Sequence, residues 1–288
     1  MPAEQPIVAL GELLWDLLPT GPRAGGAPFN FAFHCHQLGH PAIIVSSVGD
    51  DDLGRQLRAE VRRLGMSDEF IQTDRQHPTG TVQVSLDAAG QPTYTIAEYV
   101  AWDFIDWEPR LENLTRLAAA VCFGTLAQRA PVSGSTIRRF VIESNTLIVL
   151  DLNLRPTSNS PVTIRDSLAL ADWLKLNDDE LNRLPVEVDR SSFDLFCVTR
   201  GANGCRITTA AETVDVPGIS VKVVDTVGAG DAFTAALLTQ HLQGKPLAEA
   251  ARFANAYAAV VASKAGGTPT VTRAEVERLL TSLPRQSV

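Results

Sequence analysis

Short apolar runs alternate with segments of helical periodicity along most of the chain. The apolar runs predict buried strands at 7–10, 42–48, 119–123, 147–150, 173–176 and 193–198. The helical patterns predict helices at 29–38, 53–64, 133–144, 229–243, 247–264 and 272–283, and Thr272 with Glu275 three residues later predicts a capping box for the last one. Strands that alternate with helices form βαβ units. The pattern therefore predicts one α/β domain over 1–288, a doubly wound, mainly parallel sheet flanked by helices.

The segment 79–97 departs from this rhythm. Apolar and polar residues alternate from 79 to 87, a turn follows at 88–91, and a second strand continues over 93–97. Such alternation is typical of a β-hairpin with one face in water. A hairpin inserted into a doubly wound domain is either a lid over a ligand or an edge decoration, and the pattern alone leaves both open.

The charge and composition of the chain limit the kinds of molecule that it is expected to bind. A net charge of −8 argues against nucleic acid as the main partner, because a phosphate backbone is bound by a basic face. It leaves room for one local anion site. Because the chain has neither an apolar run of about 18 residues nor a charged leader, we expect no membrane segment and a cytoplasmic location. The four cysteines form no C-x-x-C pair, and His34 and His36 lie too far apart around a helix for one metal site.

The segment 224–233 carries the strongest chemical signal. An apolar strand ends there, Gly228, Ala229 and Gly230 form a turn, and a helix begins. The start of a helix exposes N–H groups and the positive end of its dipole, which makes it an anion site. Asp231 lies in the first turn of that helix. A carboxylate beside an anion site can take the proton of a hydroxyl while the amides hold phosphoryl oxygens.

The residues do not match two other nucleotide-binding motifs, the P-loop and the dinucleotide fingerprint. The chain contains no P-loop sequence, and Phe233 stands where a dinucleotide fingerprint needs its third glycine. A tight turn in which Asp231 merely compensates the helix dipole remains open on the pattern alone.

Two motifs together resemble a known family. The segment 225–231, Asp-Thr-Val-Gly-Ala-Gly-Asp, resembles the C-terminal signature of the ribokinase-like (pfkB) carbohydrate kinases, and 25–30, 38–39 and 48–51 resemble the N-terminal one. The resemblance spans nearly the whole chain. It implies a ribokinase-like fold with a small β lid, formed here from about 12–24 and 79–100. It also implies that ATP, with Mg²⁺ and K⁺, phosphorylates a sugar hydroxyl.

The resemblance implies roles at the catalytic and sugar ends of the site. Asp231 would be the base and Gly228, Ala229 and Gly230 the anion hole. Arg155, in the D-x-N-x-R segment 151–155, would lie near the transferred phosphate or the sugar, unless it pairs with a surface carboxylate. The implied sugar-binding residues are Asp16, Gly25, Gly26 and Asn30.

The same resemblance implies nucleotide and cation ligands. Asn177 and Glu180 match an N-x-x-E motif that acts with Mg²⁺ and the phosphates, mainly through water, although Asn177 could also be a helix N-cap. The other implied nucleotide-binding residues are Thr199, Gly201, Gly204, Gly228 and Asn255. Arg200 would either reach a phosphate or lie in solvent, and Asn255 could be an ordinary helical residue. The implied monovalent-cation ligands are Asp225, Val227, Val261, Lys264, Gly266 and Thr270.

The substrate expectation comes from three segments. Residues 11–16, 25–30 and 101–103 look most like fructokinases, which implies conversion of fructose to fructose 6-phosphate. Ribose, 2-keto-3-deoxygluconate and a nucleoside stay open, since small pocket changes exchange substrates on one scaffold. A non-catalytic sugar-binding relative would be expected to lack Asp231 or the glycine turn, and both are present. A homodimer paired through the lids is an arrangement known in the family, on which the residues are silent.

Overall fold

The computed structural model of the protein describes residues 5–18, 21–86, 92–155 and 160–282. The strands, in chain order, are β1 (Ile7–Leu10), β2 (Leu14–Leu18), β3 (Gly21–Gly25), β4 (Ala42–Gly49), β5 (Ile71–Asp74), β6 (Thr81–Leu86), β7 (Pro92–Ile96), β8 (Ala120–Phe123), β9 (Leu147–Asp151), β10 (Trp173–Asn177), β11 (Leu195–Thr199), β12 (Cys205–Thr208) and β13 (Thr213–Val216). The helices are α1 (Ala27–Gln37), α2 (Asp52–Arg63), α3 (Pro109–Leu117), α4 (Pro131–Glu143), α5 (Pro161–Leu168), α6 (Asp178–Arg183), α7 (Ala229–Leu242), α8 (Leu247–Ala262) and α9 (Arg273–Ser282).

Within these residues the larger sheet has nine strands in the order β13-β12-β11-β10-β9-β8-β1-β4-β5. All neighbouring pairs from β11 to β5 are parallel, and β12 and β13 add an antiparallel edge. This confirms the predicted doubly wound, mainly parallel α/β fold.

Strand β1 shows why the sheet is covered on both faces. Ile7 and Ala9 belong to one buried apolar cluster, and Val8 and Leu10 to the other, because successive side chains point to opposite faces. Helices α1, α7 and α8 contribute to the first cluster, and α3 and α4 to the second. A strand buried on both faces has no polar positions, which explains its uninterrupted apolar run.

The strand order reverses around β1. The chain passes from β1 to β4 and β5 on one side and places β8 to β11 on the other. Ligands of open α/β sheets bind beyond the carboxyl ends of the strands at such a reversal. Glu12, Gly124 and Asp151 lie at or just past the ends of β1, β8 and β9, so this edge is where a site is expected.

A second sheet, in the order β3-β2-β6-β7, is formed by the segments predicted for the lid. The β6–β7 pair is antiparallel, as the alternation of 79–97 predicted, while the predicted turn at 88–91 lies outside the described residues. Strand β2 pairs parallel with β6 and antiparallel with β3. Trp15 joins this sheet to helix α2, since its Nε1 donates to the carbonyl of Leu53 at 3.0 Å.

A buried ion pair lies where the chain leaves β7. Arg129 donates to both carboxylate oxygens of Asp103 at 2.8 Å, and its guanidinium lies 4.1 Å from the ring centre of Trp102. The same guanidinium donates to the carbonyl of Ala97, one residue past β7. The small sheet is therefore anchored at its base by one cation that contacts a carboxylate, an aromatic face and the main chain.

Several predicted boundaries hold and one needs correction. The capping box at Thr272 and Glu275 is confirmed, since Glu275 accepts from the backbone N–H of Thr272 at 2.8 Å. The strand predicted from 193 begins at Leu195 instead, because a short 3₁₀ turn, Arg190–Ser192, precedes it and Phe193 packs beside Phe196. No helix among the described residues has both the length and the apolar character needed to cross a bilayer.

Candidate active site

The anion turn, residues 228–230, is built by the left-handed backbone of Gly228. Gly228 caps α7 with φ 76°, and a Cβ added to it would lie 2.6 Å from the Cα of Gly267. Only glycine meets both conditions at low cost. The first N–H groups of α7 have no intrahelical acceptor, and the helix dipole is positive there. The geometry therefore suits a bound anion.

Asp231, in the first turn of α7, is buried beside this turn. Its Oδ2 accepts a hydrogen bond of 2.9 Å from Nδ2 of Asn30 on α1. Burial, reinforced by the charge of Asp151, raises the pKa of Asp231 to about 6, while Lys175 and the Asn30 hydrogen bond act in the lowering direction. A carboxylate with that pKa is ionised at neutral pH and basic enough to accept a proton.

Asn30 has a second polar atom that points to a ligand. Its Oδ1 is buried and has no hydrogen-bond partner among the described residues. A buried acceptor of this kind is costly unless a donor is supplied. A hydroxyl of a bound sugar would supply one next to Asp231.

The residues around Asp231 include a network that the sequence did not predict. Nζ of Lys175 lies 3.0 Å from each carboxylate oxygen of Asp151, and Oγ1 of Thr234 donates to the same carboxylate at 2.7 Å. All three side chains are buried. The available signal was a lysine inside the apolar strand segment 173–176, since a charge in a buried strand requires a partner on its neighbour.

Asp16 and the two glycines that were predicted to bind sugar lie close together. The register of β2 and β3 places Asp16 opposite Arg23, and a Cβ on Gly25 would lie 2.3 Å from Oδ2 of Asp16. Burial raises the pKa of Asp16 to about 6. Gly26 caps α1. The structure therefore brings Asp16, Gly25, Gly26 and Asn30 to one end of α1.

Glu12 has a place in the site that sequence reasoning missed. It is buried, its Oε1 accepts from the N–H of Ala27 at 3.3 Å, and burial raises its pKa to about 7. A pocket opens between it and Asp231, and its lining includes Glu12, Pro28, Phe123, Leu126, Asn153 and Asp231. Arg155 is exposed at the end of the described loop, and its charge lowers the pKa of Glu12, Asp16 and Asp231.

The N-cap interpretation of Asn177 is confirmed. Its Oδ1 accepts from the N–H of Glu180, and Glu180 Oε2 accepts from the N–H of Asn177, both at 2.8 Å. Glu180 is buried, and its Oε1 also accepts from the N–H of Leu154. This capping box positions both side chains at the carboxyl end of β10.

The remaining nucleotide candidates lie along the neighbouring strands. Thr199 ends β11 opposite Asn177, and Gly201 and Gly204, both with positive φ, form the turn into β12. Nδ2 of Asn255 donates to the carbonyls of Val216 and Pro217. Arg200 forms an ion pair with Asp215 across this hairpin.

The predicted monovalent-cation residues lie on two loops that Asp225 joins. Its Oδ1 accepts from the N–H of Val227 at 3.0 Å, and its Oδ2 accepts from the N–H of Gly266 at 2.9 Å. The Lys264 side chain turns away to the carbonyl of Thr270 and to Glu275. Val261 precedes this loop within α8. A carboxylate oxygen is a ligand type that a hard cation prefers.

Carboxylates for a divalent metal are sparse by comparison. No three His, Cys, Asp or Glu side chains of the described residues gather into a metal-binding group.

The chain is similar in sequence to known carbohydrate kinases. A model of the pfkB family carbohydrate kinases matches residues 20–273. The chain is 31% identical over 299 residues to the sugar kinase PH1459 of Pyrococcus horikoshii, covering 94% of each protein. It is 32% identical over 315 residues to fructokinase-1 of Oryza sativa subsp. japonica, covering 96% of this chain and 98% of that protein.

Solved structures agree in fold. PH1459 in complex with ATP superposes with a TM-score of 0.83 at 30% identity, over 95% of this chain and 99% of that one. A fructokinase double mutant of Vibrio cholerae O395, with fructose, ADP and potassium bound, superposes with a TM-score of 0.81 at 23% identity, over 96% of this chain and 98% of that one.

Proposed function

The chain belongs to the pfkB family of carbohydrate kinases, and from this premise we propose that it transfers the γ-phosphoryl group of ATP to a hydroxyl of fructose, giving fructose 6-phosphate. The observation that carries the proposal is the position of Asp231, a buried carboxylate of raised pKa beside the anion turn. A base next to an anion site meets the needs of phosphoryl transfer to a hydroxyl.

In the proposed reaction Asp231 accepts the proton, and the anion turn stabilises the phosphoryl oxygens. Asp231 takes the proton as the sugar oxygen forms its bond to the γ-phosphorus, and ADP departs with the electrons of the broken P–O bond. The N–H groups of 228–230 and the dipole of α7 stabilise the charge on the phosphoryl oxygens. Arg155 adds a positive charge from the loop after β9.

The sugar is proposed to lie in the pocket between Glu12 and Asp231. Asp16 and the main chain at Gly25 and Gly26 would bind its hydroxyls, and Oδ1 of Asn30 would accept from one of them. Such hydrogen bonds reject analogues that lack the matching hydroxyl. We assign the small sheet the role of a lid, because β2 carries Asp16 and β3 carries Gly25.

The nucleotide is proposed to lie along the ends of β10 and β11. Asn177, Thr199, Gly201, Gly204, Gly228 and Asn255 would contact it, and Glu180 would hold Mg²⁺ through water. Mg²⁺ would supply charge neutralisation on the phosphates. K⁺ would be held by Asp225 and carbonyls of Val227, Val261, Lys264 and Gly266 together with Thr270, next to the anion turn.

The similarity to fructokinases favours fructose over other sugars. Fructokinase-1 of Oryza sativa is similar over almost all of both chains. The sugar-end segments 11–16, 25–30 and 101–103 point to the same subgroup. Ribose, 2-keto-3-deoxygluconate and a nucleoside are the competing acceptors.

The test is an ADP-release assay with Mg²⁺-ATP and K⁺ across fructose, ribose, 2-keto-3-deoxygluconate, glucose and adenosine. We expect turnover with fructose alone, and turnover with another member instead would overturn the fructose assignment. Asp231→Asn should lower kcat about 10³-fold or more while sugar binding, followed by calorimetry, stays within about twofold. Sugar binding without ADP release by the wild type would identify a non-catalytic binding protein.

A further inference from the structure

The Asp151–Lys175 pair is a buried ion pair whose position calls for an explanation. The two residues are direct partners in the parallel register of β9 and β10, and both are more than nine-tenths buried. Removing two charges from water is costly, and a buried pair is often no more stabilising than apolar residues of similar volume. Stability alone therefore does not account for this pair.

The ammonium group lies directly beneath the anion turn. A Cβ added to Gly230 would be 3.0 Å from Nζ of Lys175. Gly230 is the second residue of α7, where the helix dipole is positive. A positive charge under a positive helix end is unfavourable in isolation and becomes favourable when an anion binds above the turn.

Asp151 holds the ammonium in this place. Both of its oxygens lie 3.0 Å from Nζ, and Thr234, one turn after Gly230 in α7, donates to Oδ2. The network therefore connects β9, β10 and α7 at the carboxyl edge of the sheet. A neutral residue at 175 would leave the buried carboxylate of Asp151 without a counter-charge.

We infer that Lys175 is a positioning residue for the transferred phosphoryl group: held by Asp151, it supplies a fixed positive charge beneath residues 228–230 and beside Asp231. The inference rests on the proposed function, because it presumes that Asp231 is the base and that the turn holds the phosphoryl group. Lys175 acts through the turn and through Asp231 and does not take part in bond making.

The charge balance of the step supports this role. Before transfer, Asp151, Asp231 and Lys175 together carry one net negative charge. As the sugar oxygen bonds to phosphorus and ADP leaves, the hydroxyl proton goes to Asp231, and the three groups become neutral overall. A fixed cation is then available to the phosphoryl oxygens in the transition state.

The pH dependence of the step is set by the titratable and charged groups that face Asp231. Among the described residues these are Glu12 after β1, Cys122 on β8, Asp151 on β9, Arg155 in the following loop and Lys175 on β10, and Asn30 on α1 adds a hydrogen bond. Asp151 raises the pKa of Asp231, and Lys175 lowers it. Changing one member of the pair should therefore move the acid limb of kcat, and changing both should not.

The experiment uses three variants of the full chain, each assayed with Mg²⁺-ATP and the accepted sugar. The first is the double variant Lys175→Met/Asp151→Asn, in which the pair is neutral. The second is Asp151→Asn alone, and the third is the matched control Thr234→Val. The neutral pair should lower the plateau kcat about 10- to 100-fold with KM for the sugar within about twofold. Asp151→Asn should move the acid limb of kcat down by about one pH unit. Thr234→Val removes a hydroxyl without changing any charge and should leave the limb in place.

Two results would overturn the inference. One is a neutral pair whose kcat stays within about twofold of the wild type. The other is an acid limb that Asp151→Asn leaves unmoved although the variant is folded. The two variants are independent, so either decides if the other fails to fold. Failure of the proposed function is seen separately, as turnover that survives Asp231→Asn.

Discussion

Nδ2 of Asn30 donates a 2.9 Å hydrogen bond to Oδ2 of Asp231, across 201 positions of the chain. This bond joins the start of α1 to the start of α7. Gly267 lies against both elements, since a Cβ on it would be 2.8 Å from the Asn30 amide and its Cα lies under Gly228. The N-terminal and C-terminal motifs are therefore parts of one site.

Asn30→Ala should impair both chemistry and sugar binding. It removes the amide that orients Asp231 and the unpaired Oδ1 offered to a hydroxyl. We expect kcat to fall about 10- to 100-fold and KM for the sugar to rise about tenfold. Steady-state kinetics with varied sugar measures both. Asn113→Ala, at an exposed position of α3, is the control, and equal kinetics in the two variants would contradict the role of Asn30.

The acid side of the pH profile should report Asp231. The pKa of Asp231 is raised to about 6, and a general base works only when ionised. Turnover should thus be complete above that pKa and fall about tenfold per pH unit below it. Asp16→Asn serves as the control, because burial also raises the pKa of Asp16 to about 6. A kcat limb that disappears in Asp16→Asn would assign the titration to Asp16 instead.

Gly228→Ala should lower activity far more than Gly244→Ala. Both glycines have similar positive φ, 76° and 72°. A Cβ at 244 meets nothing within 4 Å, whereas one at 228 meets the backbone of Gly267. Each substitution should cost about 1–2 kcal/mol of backbone strain, but only Gly228→Ala should displace the anion turn. Denaturation and kcat together test this, and equal kcat losses would refute the special position of Gly228.

Asp103→Ala should destabilise the fold at the base of the small sheet. It leaves the Arg129 guanidinium, whose side chain is 9% exposed, without its carboxylate. We expect the free energy of unfolding to fall by about 3–5 kcal/mol in urea titrations. Asp52→Ala breaks the exposed pair with Arg55 and should change the free energy of unfolding far less, because solvent screens that pair. A comparable loss of unfolding free energy in both variants would show that the buried Asp103–Arg129 pair stabilises the fold no more than the exposed pair does.

The regular parts of the fold were predictable because they depend on local pattern. The long helices α7 and α8 and the central strands β1, β4, β8 and β9 follow directly from apolar periodicity. The edge strands β12 and β13 and the short helices α5 and α6 were not predicted. Their residues are half polar, and their conformation depends on neighbours that a one-dimensional pattern does not contain.

The residues of the motif could be predicted from the sequence, whereas the side chains that support them could not. The glycine turn before α7 and the carboxylate of Asp231 stand together in the chain, so the anion site and its base could be inferred. Lys175 and Asp151 are 24 positions apart. Lys175 was predicted within a strand and Asp151 at the start of the D-x-N-x-R segment, so the pattern did not pair them. The involvement of Glu12 depends on its burial, which no motif expresses.

The sequence by itself determined the α/β class, the glycine turn at the start of a helix and the carboxylate beside it, because each depends on residues that are adjacent or periodic in the chain. Only the tertiary structure decided which distant side chains complete the site. Parallel strands meet at their carboxyl ends in an order unrelated to their separation along the chain. The partners of Asp231, on α1, β9 and β10, are therefore set by the sheet order and by burial.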